Sequence, residues 1–327
     1  MRVLGTSVDP VTAEVPADGV IQISFDRYLL PSTITRQSYV VVDNMNQPLG
    51  SLDLKTVYDP VARTVTIAGP QGPGVAWLTP GLEYKVVLLV PRDEASDLGG
   101  FRAIDRSPLE NVVQVVFRAG AVSGVTTLDP AVDFCADVLP IFQAKCAGGG
   151  CHGPPASGSA TRSAASLILT STDGLRITAK GRVAQGSNTG GKSFTPAPEG
   201  PIFGIDMALI QPGNPGSSWL MYKVEMAPHP VIDAGQEPSY ACTPPEGSPP
   251  VPARAAPYRP LAPVSSRATD GERERLGNFI LGREMPYPNG QPLTFEQREL
   301  IRIWIANGAE TRECGGCGVV QNPDGGT

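Results

Sequence analysis

Two cysteines and a histidine stand close enough in this sequence to do chemistry together. Cys146 and Cys151 are separated by four residues, three of which are glycines, and His152 follows directly. Two thiols can form thioethers with the vinyl groups of a haem, and an imidazole beside the second thiol can ligate its iron. The usual spacing is two residues, so this would be a wider form in which the glycines let the backbone bulge.

The same residues are open to two other interpretations. Cys146 and Cys151 could form a disulfide, with His152 an ordinary surface residue. A structural zinc site is the weaker alternative, because zinc needs four well-spaced ligands and His229 is the other histidine of the chain. The seven residues alone leave haem attachment and a disulfide open.

The composition is that of a soluble chain long enough for two domains. Of 327 residues, 41% are hydrophobic and 18% charged. The 37 glycines and 34 prolines favour turns over long helices. A net charge of -6 and a pI near 5.1 argue against nucleic acid and anionic membrane surfaces as partners. No apolar run approaches the ~18 residues of a membrane span, so no transmembrane segment is expected.

Cysteine usage indicates an oxidising compartment. Six cysteines beside two histidines fit a location where spare cysteines pair as disulfides. The first residues lack the charged-then-apolar layout of a signal peptide. We therefore expect a periplasmic, extracellular or cell-surface protein whose signal peptide is absent from the chain as given.

Short β-rich segments separated by turn residues fill the first 120 residues. Alternation along 20–25 places Ile21, Ile23 and Phe25 on one face. Further strands are predicted at 39–43, 64–67, 84–90 and 112–117. This spacing is typical of an all-β sandwich.

Three phrases in this region resemble bacterial Ig-like modules. They are Val-Pro-Ala-Asp-Gly leading to Ser-Phe-Asp within 15–26, Leu-Thr-Pro-Gly-Leu-Glu-Tyr at 78–84, and Asp-Leu-Gly-Gly at 97–100. The resemblance covers the whole region and implies an Ig-like β-sandwich. The module type implies a task in spacing or docking.

From about residue 130 the pattern changes to short helices separated by loops. Asp137 is predicted to cap a helix that starts near Val138 and runs through 141–145, with Pro140 tolerated in its first turn. Two more helices are predicted at 217–224 and 270–281.

The last predicted helix has the clearest boundaries. Thr294 and Gln297 can form a capping box at its start, and Gly308 can stop it. Its buried side is predicted to carry Leu300, Ile301, Trp304 and Ile305. The Pro-rich residues 227–268 predict a long surface insertion, and 319–327 a disordered tail.

Four segments, in chain order, resemble a family of exported bacterial single-haem c-type cytochrome domains. They are the helix before the cysteine pair (138–146), the Pro-Gly-Asn-Pro segment (211–224), the Met-Pro-Tyr-Pro loop (285–294) and the closing Ile-Arg-Ile-Trp-Ile helix (301–309). The resemblance implies one covalent haem c, attached through Cys146 and Cys151. It further implies His152 as the proximal iron ligand and Met285 as the distal one.

Two features depart from the family pattern. The wider spacing of the cysteines bears on haem attachment. The insertion before Met285 leaves three alternatives to Met285 at the distal position, which are Met226, His229 and an open position without a protein ligand.

Four cysteines remain for two disulfides, which three pairings could satisfy. Cys314 and Cys317 form a C-x-x-C followed by glycine, so they are not a second haem motif. In cytochrome c folds the first and last helices pack together. The resemblance therefore implies that Cys135 pairs with Cys314 or Cys317, and Cys242 with the one that remains.

Together these resemblances imply a multidomain protein. An Ig-like sandwich would span 1–120, a linker 121–131, a mainly-α cytochrome c-like domain with the Pro-rich insertion 132–318, and a tail 319–327. The expected function is electron transfer, not enzymatic catalysis, with a redox protein or membrane redox complex as partner. A lipid anchor upstream of the chain is compatible with this. The alternatives are a structural or adhesive surface protein with a subordinate haem, and a haem enzyme with an open distal position.

Overall fold

In a computed structural model of the chain, the described residues fall into two compact units. They are 1–49, 53–93, 98–126, 128–147, 151–154, 163–184, 206–228, 268–286 and 292–315, with the backbone alone at 240–242 and 317–319. The first unit holds the described part of Met1–Pro130 together with 206 and 268–281, and the second holds the remainder. Strands and helices both occur, so the content is mixed.

Eight strands of the first unit form two four-stranded sheets. They are β1 Val3–Thr6, β2 Glu14–Pro16, β3 Ile21–Phe25, β4 Tyr39–Asp43, β5 Lys55–Asp59, β6 Thr64–Ala68, β7 Glu83–Leu88 and β8 Val113–Gly120. One sheet has the order β1-β3-β6-β5 and the other β2-β8-β7-β4. Neighbouring strands are antiparallel except β2 and β8, which are parallel.

The two sheets contribute to one apolar core. Ile21, Ile23 and Phe25 of β3 have no exposed surface, as their alternation predicts. Val86 of β7 and Phe117 of β8, from the other sheet, belong to the same cluster of buried residues. The five predicted strands are confirmed by β3, β4, β6, β7 and β8.

The first unit also contains the helix α4, Asp270–Phe279. Thr269 caps it by accepting a hydrogen bond from the main-chain nitrogen of Glu272. The buried Glu272 carboxylate accepts a 2.9 Å hydrogen bond from the main-chain nitrogen of Tyr28 and pairs with Arg27 at 2.9 Å. The helix predicted at 270–281 is thus confirmed, and the Glu272 contacts join it to the segment that follows β3.

The second unit contains four α-helices among its described residues. They are α1 Leu139–Cys146, α2 Thr172–Thr178, α3 Trp219–Glu225 and α5 Phe295–Ala306. None of the helices in the described ranges is long and apolar enough to cross a membrane. Helix α2 was not predicted. The helix predicted at 217–224 is confirmed by α3.

A π-helical turn, Phe134–Val138, precedes α1 and moves the helix start back by one turn. Asp133 caps this turn by accepting from the main-chain nitrogen of Ala136. The prediction that Asp137 is the cap is wrong, because its carboxylate instead accepts from the main-chain nitrogen of Asp133 at 2.8 Å.

Helix α5 has the predicted start and stop. Thr294 and Gln297 form both hydrogen bonds of the capping box, and Gly308 has φ +98°. The indole of Trp304 packs on two phenylalanine rings. Its centroid is 5.7 Å from that of Phe134 and 5.9 Å from that of Phe142, and the second contact joins α5 to α1. The predicted buried side is confirmed for Ile301, Trp304 and Ile305, whereas Leu300 is only partly buried.

A disulfide between Cys135 and Cys314 joins the π-helical turn to the chain after α5. This confirms one of the two predicted partners of Cys135.

Two short strands, β9 Tyr240–Cys242 and β10 Cys317–Val319, pair antiparallel with Cys242 opposite Cys317. The pairing of Cys242 with Cys317 stays a prediction, and most of 227–268 and of the predicted tail lies outside the described residues.

Candidate functional site

The second unit contains an apolar cavity of about 150 Å³ that is partly open to solvent. Its walls come from α1, α3, α5 and the loops between them. They are formed by Phe142, Cys146, His152, Ala165, Leu167, Leu169, Ala179, Leu209, Ile210, Trp219, Leu220, Lys223, Val224, Met285, Pro286, Leu293 and Ile301. Concave sites lined mostly by apolar side chains with a few polar groups are typical of cofactor sites.

Cys146 enters the wall as the last residue of α1. Its carbonyl accepts a 2.9 Å hydrogen bond from the main-chain nitrogen of His152, so the two predicted site residues are held together through the backbone. Burial raises the pKa of the Cys146 thiol to about 12, and the neighbouring Cys151 acts in the same direction. The thiol is therefore protonated at neutral pH.

Cys151 is a second free thiol, next to His152 in the chain, but it is not among the residues that line the cavity. Cys146 and Cys151 are both free thiols in the structure. Cys151 is half-buried, and its carbonyl accepts from the main-chain nitrogen of Ala164 at 2.8 Å.

His152 lies in the wall with 9% of its surface exposed. Its Nδ1 is 3.3 Å from the carbonyl oxygen of Leu167, and its own carbonyl accepts from the main-chain nitrogen of Leu169. An Nδ1–H that donates to a carbonyl leaves Nε2 as the ring nitrogen with a free lone pair. Burial lowers the pKa of His152, and the charge of Lys223 lowers it further, which favours the neutral imidazole.

Met285 lines the same cavity from the loop before α5. Its main-chain nitrogen donates to the carbonyl of Lys223 on α3 at 3.0 Å. The alternative Met226 caps the end of α3 and is 8% exposed, but it does not line the cavity. His229, the other alternative, lies outside the described residues.

Sequence reasoning missed Lys223, a charged side chain in the cavity wall. It is 8% exposed, and its Nζ donates to the carbonyl of Arg283. Burial lowers the pKa of Lys223 to about 8, while Glu284 acts in the opposite direction. Its neighbours Tyr222 and Val224 gave no sequence signal of this burial, because adjacent residues on a helix do not share a face.

Sequence reasoning also missed Arg298, whose side chain on α5 has no exposed surface. Its guanidinium donates to the carbonyls of Leu293, Ala227 and Pro228 at 3.2, 3.0 and 3.1 Å. It lies 3.5 Å from the buried carboxylate of Glu225 on α3. Arg298 thereby fixes the end of α3 and the wall residue Leu293 against α5.

No group of three or more His, Cys, Asp or Glu side chains converges on a metal-sized site within the ranges that the structure describes. A zinc site at Cys146, Cys151 and His152 would need a fourth ligand of this kind. The cavity brings together the Cys146 thiol, the His152 imidazole and the Met285 thioether.

Comparison with known proteins gives no relative: no family model matches the chain, and no curated protein matches it. What the cavity binds is therefore inferred from the residues that form it.

Proposed function

We propose that the chain is a single-haem c-type cytochrome that transfers electrons, with its haem in the cavity of the second unit. The observation that carries this proposal is that Cys146, His152 and Met285, the last far away in the sequence, line one apolar cavity. Histidine and methionine are the axial pair that raises the potential of a c-type haem.

Cys146, His152 and Met285 in the cavity wall, together with Cys151 next to His152 in the chain, are residues that could hold such a group. The thiols of Cys146 and Cys151 are free, and each can add across a vinyl group, so that the sulfur bonds to one carbon and its proton goes to the next. This addition needs no oxidant. The carbonyl oxygen of Leu167, 3.3 Å from Nδ1 of His152, would hold the imidazole in the tautomer that leaves Nε2 for iron.

The proposed ligand pair favours a carrier or relay over an enzyme. If His152 and Met285 held the haem iron, no coordination site would be left for a substrate. One electron would enter from a donor redox protein or membrane redox complex and leave to an acceptor of the same class. An enzyme would require an open distal position.

The first unit supports an Ig-like module in the same proposal. Two four-stranded sheets that share one core are the architecture of a β-sandwich, and the turn phrases at 78–84 and 97–100 resemble such modules. Its proposed task is to space the haem domain or dock it to a partner. An adhesive role with a subordinate haem is the alternative.

Export is part of the proposal, because thioether maturation and disulfides both belong outside the cytoplasmic membrane. The Cys135–Cys314 disulfide supports it. Fractionation of the native host should find the mature protein in the periplasm or at the cell surface. Recovery of haem-loaded protein from the cytoplasm would contradict this location.

The test of the function is covalent haem. The full chain, produced with a c-type maturation system, should keep its colour through acid-acetone extraction and show the mass of one added haem. The matched control is Cys146→Ser with Cys151→Ser, which should lose all colour on extraction. A wild-type mass without haem would overturn the cytochrome proposal.

A further inference from the structure

Residues 163–169, which we call the histidine strap, pair with the backbone on both sides of His152. The main-chain nitrogen of Ala164 donates to the carbonyl of Cys151 at 2.8 Å, and that of Leu169 donates to the carbonyl of His152 at 2.9 Å. The strap is therefore held to the proposed iron-ligating residue by its two ends.

Ser163 adds a side-chain bond to these main-chain bonds. Its hydroxyl donates to the carbonyl of Gly153, the residue that follows His152, and Ser163 is 9% exposed. Cys151, His152 and Gly153 thus each accept one hydrogen bond from the strap. A buried hydroxyl with a defined acceptor is a costly group to remove, because its partner loses a hydrogen bond away from water.

The strap also acts on the imidazole of His152. The carbonyl oxygen of Leu167 lies 3.3 Å from Nδ1. Burial is the main influence on the pKa of His152 and lowers it, whereas the carbonyls of Leu167 and Ala164 act in the opposite direction. Two carbonyls of the strap therefore face the ring.

The middle of the strap has a strained backbone. Ala165 and Ser166 have φ values of +53° and +56°, and both side chains are exposed. Non-glycine residues in this conformation persist where the surrounding contacts fix them, which is common at ligand sites. The strained turn lies between the Ser163 hydroxyl, which binds Gly153, and the Leu167 carbonyl, which meets the ring.

We propose that Ser163 is a positioning residue for His152, because its hydroxyl anchors the strap that presents the Leu167 carbonyl to Nδ1. The ring is then held with Nε2 left for the bound ligand, which is haem iron if the proposed function holds. Ser163 acts through Gly153 and Leu167, not by ligation. An acceptor on Nδ1 makes an imidazole a stronger donor to iron, which favours the ferric state.

The experiment uses the full-length chain isolated from a host with a c-type maturation system. Ser163→Ala removes the hydroxyl, Ser163→Thr keeps it, and Ser166→Ala makes the same deletion at an exposed position of the strap. Amide hydrogen exchange at Ala164 and Leu169, followed by NMR, should be about tenfold faster in Ser163→Ala, because the strap has lost one anchoring bond. Ser163→Thr and Ser166→Ala should exchange at the wild-type rates.

A second readout reports the imidazole itself, which a merely structural role would leave unchanged. In the holoprotein of Ser163→Ala, the Nδ1 proton of His152 should exchange faster with water. The ferrous-to-ferric ratio at a fixed ambient potential should rise several-fold, where tenfold corresponds to 59 mV for one electron. The spectrum of His/Met ligation should be retained, and Ser163→Thr should restore the wild-type potential.

Two results with Ser163→Ala would overturn the proposal. They are wild-type exchange at Ala164 and Leu169, and faster exchange there with an unchanged Nδ1 proton and potential. If Ser163→Ala does not accumulate, the wild type decides. An Nδ1 proton that exchanges much more slowly than that of a water-exposed imidazole supports the strap, and one that exchanges as fast overturns it.

The proposed function can fail separately from this proposal. A wild-type chain that takes up no haem would overturn the cytochrome function. The nitrogen chemical shifts of the His152 ring in that haem-free chain would then decide the role of the strap. A single tautomer with the proton on Nδ1 supports it, and a mixture of tautomers overturns it.

Discussion

The main-chain nitrogen of Met285 donates a 3.0 Å hydrogen bond to the carbonyl oxygen of Lys223. Both residues line the cavity, one from the loop before α5 and the other from α3. The loop is therefore fixed by its backbone at the residue whose thioether is the proposed distal ligand, so a side-chain substitution there leaves the loop anchored.

The first prediction concerns that ligand. Met285→Ala should open the sixth iron position, abolish the far-red charge-transfer band and lower the potential, because a thioether sulfur stabilises ferrous iron. Visible spectra and redox titration of the matured protein measure these changes. The thioether bonds and His152 should stay intact.

The matched controls for Met285 are Met226→Leu and His229→Ala. Met226 is buried but lies outside the cavity wall, so Met226→Leu should leave the band in place. A Met285→Ala protein that keeps a low-spin spectrum with the band would exclude Met285 as the ligand. Loss of the band in Met226→Leu would then identify Met226.

The second prediction concerns the Cys135–Cys314 disulfide, which closes a sequence separation of 179 residues. Replacing both cysteines with alanine should reduce the free energy of unfolding by about 2–5 kcal/mol, because the cross-link restricts the unfolded chain. Urea unfolding followed by circular dichroism checks this. A double variant as stable as the wild type would show that the bond adds nothing.

The third prediction assigns the remaining disulfide to Cys242 and Cys317, which stand opposite each other in the ladder of β9 and β10. Opposite residues of antiparallel strands bring their Cβ atoms to about 4.5–5.5 Å, close to the distance a disulfide needs. Alkylation without reduction should label neither cysteine, and non-reducing peptide mapping should recover them linked. Ready labelling of both would instead identify free thiols.

The fourth prediction concerns the buried pair of Arg298 and Glu225. Arg298→Met leaves the Glu225 carboxylate without its cation and should cost about 3–5 kcal/mol of the free energy of unfolding. The double variant Arg298→Met with Glu225→Leu should recover a large part of that loss, because neither charge of this pair then remains buried. A double variant less stable than Arg298→Met alone would contradict this account.

Local sequence patterns predicted the elements whose specifying residues lie within the element or directly beside it. The alternation of 20–25 predicted β3, and the capping box of Thr294 and Gln297 predicted the start of α5, because each signal lies within a few residues of the element it specifies. The short strands β1, β2 and β5 were missed. Strand β2 depends on pairing with the distant β8, which no local pattern reports, whereas β5 pairs with β6, the next strand along the chain.

Contacts between distant segments determine the roles of Asp137 and Arg298, which the sequence patterns did not predict. Asp137 is a good capping residue, but Asp133 is placed one turn earlier, where the Cys135–Cys314 bond and Trp304 hold the π-helical turn. From the sequence alone, Arg298 would be assigned to the polar face of α5. It is buried because the carbonyls of 227, 228 and 293 converge on it from other segments.

The three tryptophans give each unit its own optical reporter. The indole of Trp77 donates to the carbonyl of Gly19 within the first unit, while Trp219 lines the cavity of the second and Trp304 packs between Phe134 and Phe142. A chromophore seated in the cavity would take up the excitation energy of Trp219 by direct proximity. Loss of that chromophore would then be seen as regained indole emission from the second unit.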